Sequence, residues 1–224
     1  MISAERFREI AYWADELNGP DFEEARRGIT EKSFTAGSYI CHKGDRLDYW
    51  TGVVSGLVKL SAVTESGKSV TLAGLRDGGW FGEGTVLKNE PRQYDLVSLR
   101  DTDFALMSRA TFMKLFETSA AFNKILVRQL NERLGHFIAL VEYDRTLGAT
   151  AKLARSLAWL LNPVLYPRAS KTLEITQEEL GLLCGLSRQA TGQSLKQLQA
   201  ARLIDFAHNS VQILDDTGLR NFGE

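Results

Sequence analysis

The chain has 224 residues, of which 44% are apolar and 25% are charged, and its formal net charge at pH 7 is -1. That length is enough for one or two domains with hydrophobic cores, and the composition is typical of globular proteins. No apolar run approaches the roughly 18 residues of a membrane-spanning helix. Met1 to Glu9 carries charges where a signal peptide has its apolar core. We therefore expect a soluble, cytoplasmic protein without a membrane partner.

Cysteine and histidine usage argues against a disulfide framework and against a metal centre. Cys41 and Cys184 lie far apart and neither belongs to a CxxC motif, so we expect two free core thiols. His42, His136 and His208 fall in three different predicted elements, whereas a metal enzyme needs clustered ligands. We accordingly predict no catalytic residues and no metal site, and the sequence leaves any cofactor unknown.

The N-terminal segment has the spacing of short helices. Apolar residues recur on one side from Met1 to Leu17, which predicts an amphipathic helix. Asn18, Gly19 and Pro20 should end that helix, because proline does not continue one and glycine accepts the terminating conformation. A second short helix is predicted from Asp21 to Gly28.

The stretch from Thr30 to Leu106 has a period of two and frequent glycines, the pattern of short strands joined by tight turns. Apolar residues from Val53 to Val63 predict a strand pair around Gly56. The next strand should follow a turn at Ser66 and Gly67. The whole stretch predicts a β-roll or small barrel.

Helical spacing returns from Ser108 to Tyr143. Within it, apolar residues advance by three, four, three and four, which is the spacing of a coiled-coil seam and needs a partner helix. The predicted dimer interface consists of Val127, Leu130, Leu134, Phe137 and Val141.

A hinge is predicted from Asp144 to Gly148, where Thr146 can cap the next helix and few contacts should cross. Ala151 to Leu161 then reads as a buried helix. The expected division of the chain is residues 1–108, 109–144 and 145–224.

The segment from Leu173 to Leu203 predicts two helices that meet at a tight turn. Thr176 and Glu179 have the spacing of a capping box, and Gly185 can end the first helix. Ser187 is the predicted N-cap of a second helix from Arg188 to Ala201. Its inward stripe is predicted to be Thr191, Leu195 and Leu198.

The outward stripe of this second helix carries side chains that suit base edges. Arginine bonds guanine bidentately and glutamine bonds adenine in the same way, while Gly192 would let the backbone come close. No acidic residue occurs from Ser187 to Ile204, so nothing there repels phosphate. The stripe consists of Arg188, Gln189, Gly192, Gln193 and Lys196. We predict a helix-turn-helix that recognises DNA, the alternative being a two-helix corner packed in a core.

Two further strands are predicted from Ile204 to Ala207 and from Val211 to Leu214. They should form a hairpin, or wing. The turn of this hairpin contains His208 and Ser210. We predict that these side chains either contact phosphate or face solvent without a partner.

These C-terminal residues resemble the DNA-binding domain of the Crp/Fnr transcription regulators. The matching positions between Ile175 and Ile204 are Thr176, Gln177, Glu179, Leu180, Gly181, Gly185, Leu186, Ser187, Arg188, Gly192, Leu195, Leu198 and Leu203. The resemblance implies a winged helix-turn-helix in which Ser187, Arg188, Gln189 and Gln193 read bases and touch phosphates. The family's cyclic AMP receptor protein has acidic and basic side chains in place of the two glutamines, so its operator should not be assumed. The full predicted DNA-binding set is Thr176, Gln177, Ser187, Arg188, Gln189, Gly192, Gln193 and Lys196.

The strand-rich stretch resembles the cyclic-nucleotide-binding fold. Its markers are Ala36 and Gly37 before Ile40, then Lys43, Gly44 and Asp45, then Gly56 before Val58, and Gly78 before Phe81, Gly82 and Glu83. The resemblance implies that Glu83 bonds a ribose hydroxyl and Arg92 pairs with a cyclic phosphate. Backbone amides at a helix N-terminus together with a guanidinium would suit such an anion. The alternative is that Glu83 and Arg92 bridge each other and only hold the roll together.

Several neighbours of that pair depart from the family pattern. Gln93 and Tyr94 stand where small residues normally leave room for the phosphate. Phe137 and Ile138 occupy the positions that supply hydroxyls to adenine in the family, and neither can hydrogen-bond a base. The predicted effector site is Gly82, Glu83, Arg92, Gln93, Phe137 and Ile138, and its effector should not be cyclic AMP.

The sequence therefore predicts an α+β protein with a cyclic-nucleotide-binding-like β-roll, a long dimerisation helix and a winged helix-turn-helix. The expected function is that of a homodimeric transcription regulator bound to an inverted repeat in double-stranded DNA and controlled by a small-molecule effector. RNA polymerase would be a partner of an activator. The alternatives are a haem or redox sensor of the same family and a cupin-like metal enzyme, which the scattered histidines disfavour. The N-terminal cysteine cluster of the iron–sulfur members is absent.

Overall fold

A computed structural model describes residues 1–63 and 69–223. Short N-terminal helices lead into two antiparallel sheets, a long helix follows, and a smaller helical unit with its own sheet ends the chain. This architecture confirms the predicted α+β class. None of the described helices is both long and apolar enough to cross a membrane.

The N-terminal helices differ from their predicted bounds. Helix α1 spans only Ala4–Ile10, and a 3₁₀ turn at Ala14–Glu16 follows an extended Ala11. This break lets Trp13 enter the core, where it is fully buried. Helix α2 spans Gly19–Arg27, so the expectation that Gly19 and Pro20 end a helix is wrong. Asn18 caps α2, and proline suits the first turn because its missing N–H is not needed there.

The β-roll is formed by strands β1 (Ile29–Phe34), β2 (Tyr39–Cys41), β3 (Tyr49–Ser55), β4 (Leu57–Val63), β5 (Ser69–Arg76), β6 (Trp80–Phe81), β7 (Asp95–Ser98) and β8 (Thr102–Ser108). Two four-stranded sheets have the orders β1-β8-β3-β6 and β2-β7-β4-β5. The predicted pairing around Gly56 is wrong, because β3 and β4 belong to different sheets. Gly56, with φ of +110°, carries the chain between them. The predicted turn at Ser66 and Gly67 lies outside the described residues.

An aromatic cluster anchors the helices to the first sheet. Its rings are Trp13, Trp50, Trp80, Phe112 and Phe122, and their centroids lie between 4.5 and 5.9 Å apart in the contacting pairs. Large buried rings contribute much of the apolar area that stabilises a core. The cluster therefore fixes the start of the long helix against the roll.

Three helices follow or interrupt the roll: α3 (Glu83–Lys88), α4 (Arg109–Thr118) and α5 (Ala120–Thr146). The predicted continuous helix over residues 109–144 is in two pieces, because Ser119 has an extended backbone and caps α5. Helix α5 has 27 residues and extends past the expected boundary at residue 144.

The C-terminal unit consists of α6 (Ala149–Trp159), β9 (Thr172–Glu174), α7 (Gln177–Cys184), α8 (Arg188–Ala200), β10 (Ile204–Ala207), β11 (Ser210–Ile213) and α9 (Asp216–Arg220). Its sheet has the order β10-β11-β9, so the predicted hairpin is present. Thr146 does not cap α6 as predicted. Its hydroxyl donates to the Glu142 carbonyl within α5, and Gly148 stands at the start of α6.

Many contacts join this unit to the β-roll, contrary to the expectation for the hinge. The guanidinium of Arg100 donates to both carboxylate oxygens of Glu179 at 3.0 and 2.9 Å. The Tyr166 hydroxyl donates to the Gly74 carbonyl at 3.0 Å. Leu57 of β4 belongs to the same hydrophobic cluster as the buried leucines of the C-terminal unit. The two parts are thus docked through apolar packing and polar bonds.

Candidate nucleic-acid interface and effector cavity

The turn between α7 and α8 is specified by its caps. The Thr176 hydroxyl accepts from the Glu179 amide at 3.1 Å, and the Glu179 carboxylate accepts from the Thr176 amide at 2.7 Å. Gly185 ends α7 with a φ of 65°, a left-handed conformation that glycine adopts without strain. The Ser187 hydroxyl accepts from the Ala190 amide at 3.2 Å. The capping box, the terminating glycine and the second N-cap are therefore confirmed.

Helix α8 has one buried face and one exposed face. Thr191, Leu195 and Leu198 are buried, as predicted. The opposite side forms part of an open groove of about 940 Å³. The groove is lined by Gln177, Arg188, Gln189, Gly192, Gln193, Leu195, Lys196, Gln199 and Phe206.

Six of the eight predicted DNA-binding residues line this groove, while Thr176 and Ser187 act as helix caps. Sequence reasoning missed Gln199 and Phe206. Gln199 lies three residues after Lys196, so the helical spacing could have indicated it. Phe206 comes from the wing strand β10, and only the tertiary structure brings it to this surface.

Gly192 also has a structural role within the chain. The Gln177 side chain donates from Nε2 to the Arg188 carbonyl at 2.8 Å and so ties α7 to the start of α8. A Cβ atom on Gly192 would lie 2.7 Å from that Nε2. Gly192 therefore makes room for a bond that fixes the angle between the two helices.

Positive charge on this surface is not neutralised from within. Among the residues that the structure describes, neither Arg188 nor Lys196 forms an ion pair. Asp205 is the first acidic residue after α8, and its carboxylate accepts from Gln199 Nε2 at 3.2 Å. Both cations are exposed and available to an anionic partner.

A separate cavity of about 240 Å³ lies between the β-roll and α5. Aliphatic and aromatic side chains make most of its wall. They include Leu60, Ala73, Leu75, Phe81, Tyr94, His136, Phe137, Leu165 and Tyr166. Glu83, Lys88, Glu90 and Arg133 supply the charged groups.

Glu83 is the first residue of α3 and is only 4% exposed. Its Oε1 accepts from Arg133 Nη1 at 2.5 Å, and Arg133 Nη2 donates to the Trp80 carbonyl at 2.6 Å. Its Oε2 is buried and has no hydrogen-bond partner among the described residues. The alternative of a bridge between Glu83 and Arg92 is therefore wrong, because Arg133 pairs with Glu83 instead.

Arg92 is fully buried and is not among the cavity-lining residues. Its Nη1 donates to the Tyr94 hydroxyl and its Nη2 to the Tyr49 carbonyl, each at 3.0 Å. The guanidinium lies against Gly82, where a Cβ atom would come within 2.3 Å of Nη1. Gln93 does line the cavity, although its Nε2 donates to the Pro91 carbonyl. Arg92 is therefore buried next to the cavity-lining Gly82 and Tyr94, with both of its terminal nitrogens bonded within the chain.

Helix α5 contributes one of its two predicted residues to the cavity. Phe137 lines the wall, whereas Ile138 is 61% exposed and is not among the lining residues. Arg133 and His136 were not predicted, although Arg133 precedes Phe137 by four residues and so shares its face. Burial, together with the nearby Arg133 charge, lowers the pKa of His136 to about 4. Its ring stacks on Trp159 at 4.4 Å.

The two cysteines are free and buried, which confirms the expectation of core thiols. Burial raises the pKa of both Cys41 and Cys184 to about 11, so both are protonated at neutral pH. In the part of the chain that the structure describes, no group of three or more His, Cys, Asp or Glu residues is placed to hold a metal ion.

Comparison with known proteins matches both halves of the chain to family models. A cyclic nucleotide-binding domain matches residues 31–119, and a Crp-like helix-turn-helix domain matches residues 151–222. Together these matches span most of the chain.

Similar proteins support the same assignment. The cAMP-activated global transcriptional regulator CRP of Pasteurella multocida is 26% identical over 190 residues, which cover 82% of this chain and 89% of that protein. The transcriptional regulator SdrP of Thermus thermophilus is 28% identical over 196 residues, covering 86% and 93%. FixK2 from Bradyrhizobium japonicum has a similar fold, with a TM-score of 0.71 at 18% identity over 86% of this chain and 96% of that one. The chain thus belongs to the Crp/Fnr family of DNA-binding transcription regulators.

Proposed function

We propose that the chain acts as a homodimer that reads an inverted repeat in double-stranded DNA and responds to a small-molecule effector other than cyclic AMP. Residues 1–108 would be the sensor, 109–144 the dimerisation segment and 145–224 the DNA-binding domain. The observation that carries the proposal is the exposed, acid-free polar stripe of α8.

Each polar residue of that stripe has a role that follows from its chemistry. Arg188 reads a guanine through two parallel hydrogen bonds, and Gln189 and Gln193 prefer adenine. Lys196 contacts phosphate as a point charge. Thr176, Gln177 and Ser187 lie at the N-terminal ends of α7 and α8, where backbone amides favour a phosphate. Gly192 supports the set by leaving room for the Gln177 side chain, which bonds to the Arg188 carbonyl.

Dimerisation is supported by an apolar stripe on α5 that faces solvent in the single chain. The exposed fraction is 64% for Val127, 59% for Leu134 and 51% for Val141. Leu130 and Phe137 are also exposed, so all the predicted seam residues lie on the surface. A second copy of α5 would remove this stripe from water. Two copies of α8 would then contact half-sites about one helical turn, roughly 34 Å, apart.

The effector is assigned to the cavity beside α5. Cyclic AMP fits it poorly, because Arg92 is already bonded to Tyr94 and the adenine would meet Phe137 instead of a hydroxyl. Two or three unmade hydrogen bonds would cost roughly 1–3 kcal/mol each. A regulator that activates transcription would also contact RNA polymerase.

Two experiments test the DNA-binding and dimer parts of the proposal. Selection from random duplex DNA, followed by footprinting, should yield an inverted repeat protected by the wild type. Sedimentation should give a dimer at micromolar concentration, and Leu134→Glu should give a monomer, since an unpaired charge buried in an interface costs about 3–5 kcal/mol.

Leu214→Glu is the matched control, because Leu214 is also an exposed leucine, at 48%, but lies outside the stripe. That variant should remain dimeric. A monomeric wild type would overturn the dimer, and a micromolar dissociation constant for cyclic AMP by calorimetry would overturn the statement about the effector.

A further inference from the structure

We propose that Arg100 is a positioning residue for DNA recognition. By holding the Glu179 carboxylate, it fixes the helix-turn-helix at one angle on the β-roll and so determines which spacing of half-sites the protein accepts. This inference rests on the proposed homodimer and inverted repeat, and it adds the contact that sets their geometry. Arg100 is not among the residues that line the groove on α8, so it acts through Glu179 and not by contact with DNA.

The covalent link between the long helix and the C-terminal unit is short. Helix α5 ends at Thr146 and α6 begins at Ala149, so Leu147 and Gly148 join them. Both linking residues have an extended backbone, and a Cβ atom on Gly148 would meet no described atom within 4 Å apart from its chain neighbours. Rotation at a few such residues is enough to turn one unit on another. The angle of the C-terminal unit must therefore be fixed by non-covalent contacts.

The ion pair between Arg100 and Glu179 is a directional contact between the two units. Nη1 and Nη2 of Arg100 donate to Oε1 and Oε2 of Glu179 at 3.0 and 2.9 Å. The exposed fractions of the two side chains are 26% and 19%, so water and salt screen the pair only in part. Two parallel hydrogen bonds between planar groups define an orientation as well as a distance.

The β-roll holds Arg100 at its other end. Arg100 lies in the turn between β7 and β8, where its carbonyl accepts from the Thr102 hydroxyl at 2.7 Å. Its Nη1 also donates to the Leu99 carbonyl at 2.6 Å. The carboxylate of the next residue, Asp101, accepts from the Ala36 amide at 2.8 Å. The guanidinium is therefore attached to a turn that is itself bonded to the rest of the roll.

The pair acts on the start of the helix-turn-helix. Oε2 of Glu179 also accepts from the Thr176 amide at 2.7 Å, so one carboxylate both caps α7 and binds the roll. Helices α7 and α8 are packed closely, since a Cβ atom on Gly181 would lie 2.8 Å from Thr191 Oγ1. Close-packed elements transmit a displacement instead of absorbing it. A movement of α7 at Glu179 would therefore reach the side chains of α8.

Other contacts between the two units constrain this angle less. Apolar side chains of the roll and the C-terminal unit enclose a void of about 40 Å³. They include Leu57, Leu99, Leu160, Ile175, Leu182 and Leu183. Apolar burial stabilises the docked state but has no direction. Arg76 donates to the Leu160 and Thr172 carbonyls, but these bonds are long, at 3.5 and 3.4 Å, and they hold the ends of the segment between α6 and β9. Arg100 instead holds α7 itself.

The docking angle determines the spacing that a dimer accepts. With the two subunits joined through α5, the separation of the two α8 helices depends on how each C-terminal unit sits on its own roll. One added base pair moves the half-sites apart by about 3.4 Å and rotates one relative to the other by about 34°. A unit held by the bidentate pair would lose contacts on such a duplex. A unit released from Arg100 would rotate at Gly148 and recover them.

Arg100→Ala tests the inference in the full chain. Fluorescence anisotropy would compare the selected inverted repeat with duplexes whose spacer is one base pair longer or shorter. The wild type should bind the altered duplexes at least about tenfold more weakly, which is comparable to one mismatched base pair. Arg100→Ala should reduce this discrimination to below about threefold. A substituted base pair within a half-site should weaken both proteins equally, because the side chains of α8 are unchanged.

Glu179→Gln tests the other member of the pair. Glutamine also serves at this position of a capping box, so α7 stays capped while the charge is lost. This variant should relax the spacer preference in the same direction. Combining it with Arg100→Ala should add little, since both changes remove one interaction.

Arg6→Ala is the matched control. Arg6 also forms a bidentate ion pair, with Glu31, but its ion pairs, with Glu9 and Glu31, lie within the N-terminal part of the chain. Its loss should leave the spacer preference as it is in the wild type. Circular dichroism and sedimentation would show that the variants are folded and dimeric, and Glu179→Gln carries the test if Arg100→Ala does not fold.

Undiminished spacer discrimination in folded, dimeric Arg100→Ala would overturn the inference. Equal relaxation in Arg6→Ala, or a wild type that accepts every spacer, would do the same. Each of these results leaves the proposed function standing if the wild type still protects an inverted repeat. A wild type that protects no inverted repeat would instead overturn the proposed function.

Discussion

The groove-facing surface of α8 and the cavity beside α5 both present charged and polar side chains, but they hold them differently. On α8 the cations Arg188 and Lys196 come from one continuous helix and form no ion pair among the described residues. At the cavity, Glu83 and Arg133 come from separate elements and pair with each other. Charges in water need no internal partner, whereas buried charges do. The role of the α8 surface can therefore be predicted directly from its residue types, whereas that of the cavity cannot.

Replacing an arginine beside the cavity, Arg92, and one on the α8 surface, Arg188, should give the largest difference in the free energy of unfolding. Arg92→Ala should lower the free energy of unfolding by about 3–5 kcal/mol, because it creates a cavity and leaves the Tyr94 hydroxyl and the Tyr49 carbonyl without their bonds. Urea titration followed by tryptophan fluorescence measures this loss, since Trp50 and Trp80 are buried in the roll. A loss below about 1 kcal/mol would mean that the burial of Arg92 contributes little.

The elements that the sequence predicted well are those specified by contacts within a few residues. The caps at Thr176 and Ser187 and the turn at Gly185 depend on neighbours three or four positions away. The strands of the roll and the exposed stripe of α5 follow from hydrophobic period alone. These features needed no knowledge of distant partners.

Partners far apart in the sequence could not be predicted in the same way. Glu83 and Arg133 are 50 residues apart, and Arg92 and Tyr49 are 43 apart. The acceptor that a buried arginine bonds depends on how distant elements pack. The family pattern predicted Arg92 beside Glu83, whereas the structure has Arg133 there. Local signals can also be ambiguous: Pro20 is compatible with the end of one helix and with the first turn of the next.

Acidification should affect the cavity through His136. Its pKa is about 4 in the folded chain and near 6.5 when the chain is unfolded, so the unfolded state binds the proton first as pH falls. Stability is therefore fully present above pH 6.5 and is lost progressively towards pH 4, by up to about 3 kcal/mol. His136→Phe, which keeps a ring against Trp159, should lose less stability over this range. Unfolding at several pH values compares the two, and identical profiles would contradict the effect.

Arg188→Ala is the counterpart of Arg92→Ala on the exposed surface. Among the residues that the structure describes, the Arg188 side chain has no partner, so its loss should change the free energy of unfolding by less than about 0.5 kcal/mol. Binding to the selected inverted repeat should weaken by about 1–3 kcal/mol, with relaxed specificity at one base pair in each half-site. A footprint unaffected in a folded, dimeric variant would show that Arg188 does not read a base.

Lys196→Ala should have the smallest effect on DNA affinity. It tests whether α8 contacts bases at one end and phosphates at the other. Lys196 lies two helical turns after Arg188, and its compact ammonium suits phosphate rather than a base edge. A phosphate contact contributes equally to every sequence, so specific and non-specific duplexes should lose affinity alike. Each lost contact also releases about one fewer counterion, and the slope of log K against log salt should fall in magnitude by about 0.9 per subunit. Fluorescence anisotropy over a salt series measures that slope with both duplexes. A loss confined to the inverted repeat would instead assign Lys196 to base recognition and extend the reading surface towards Gln199.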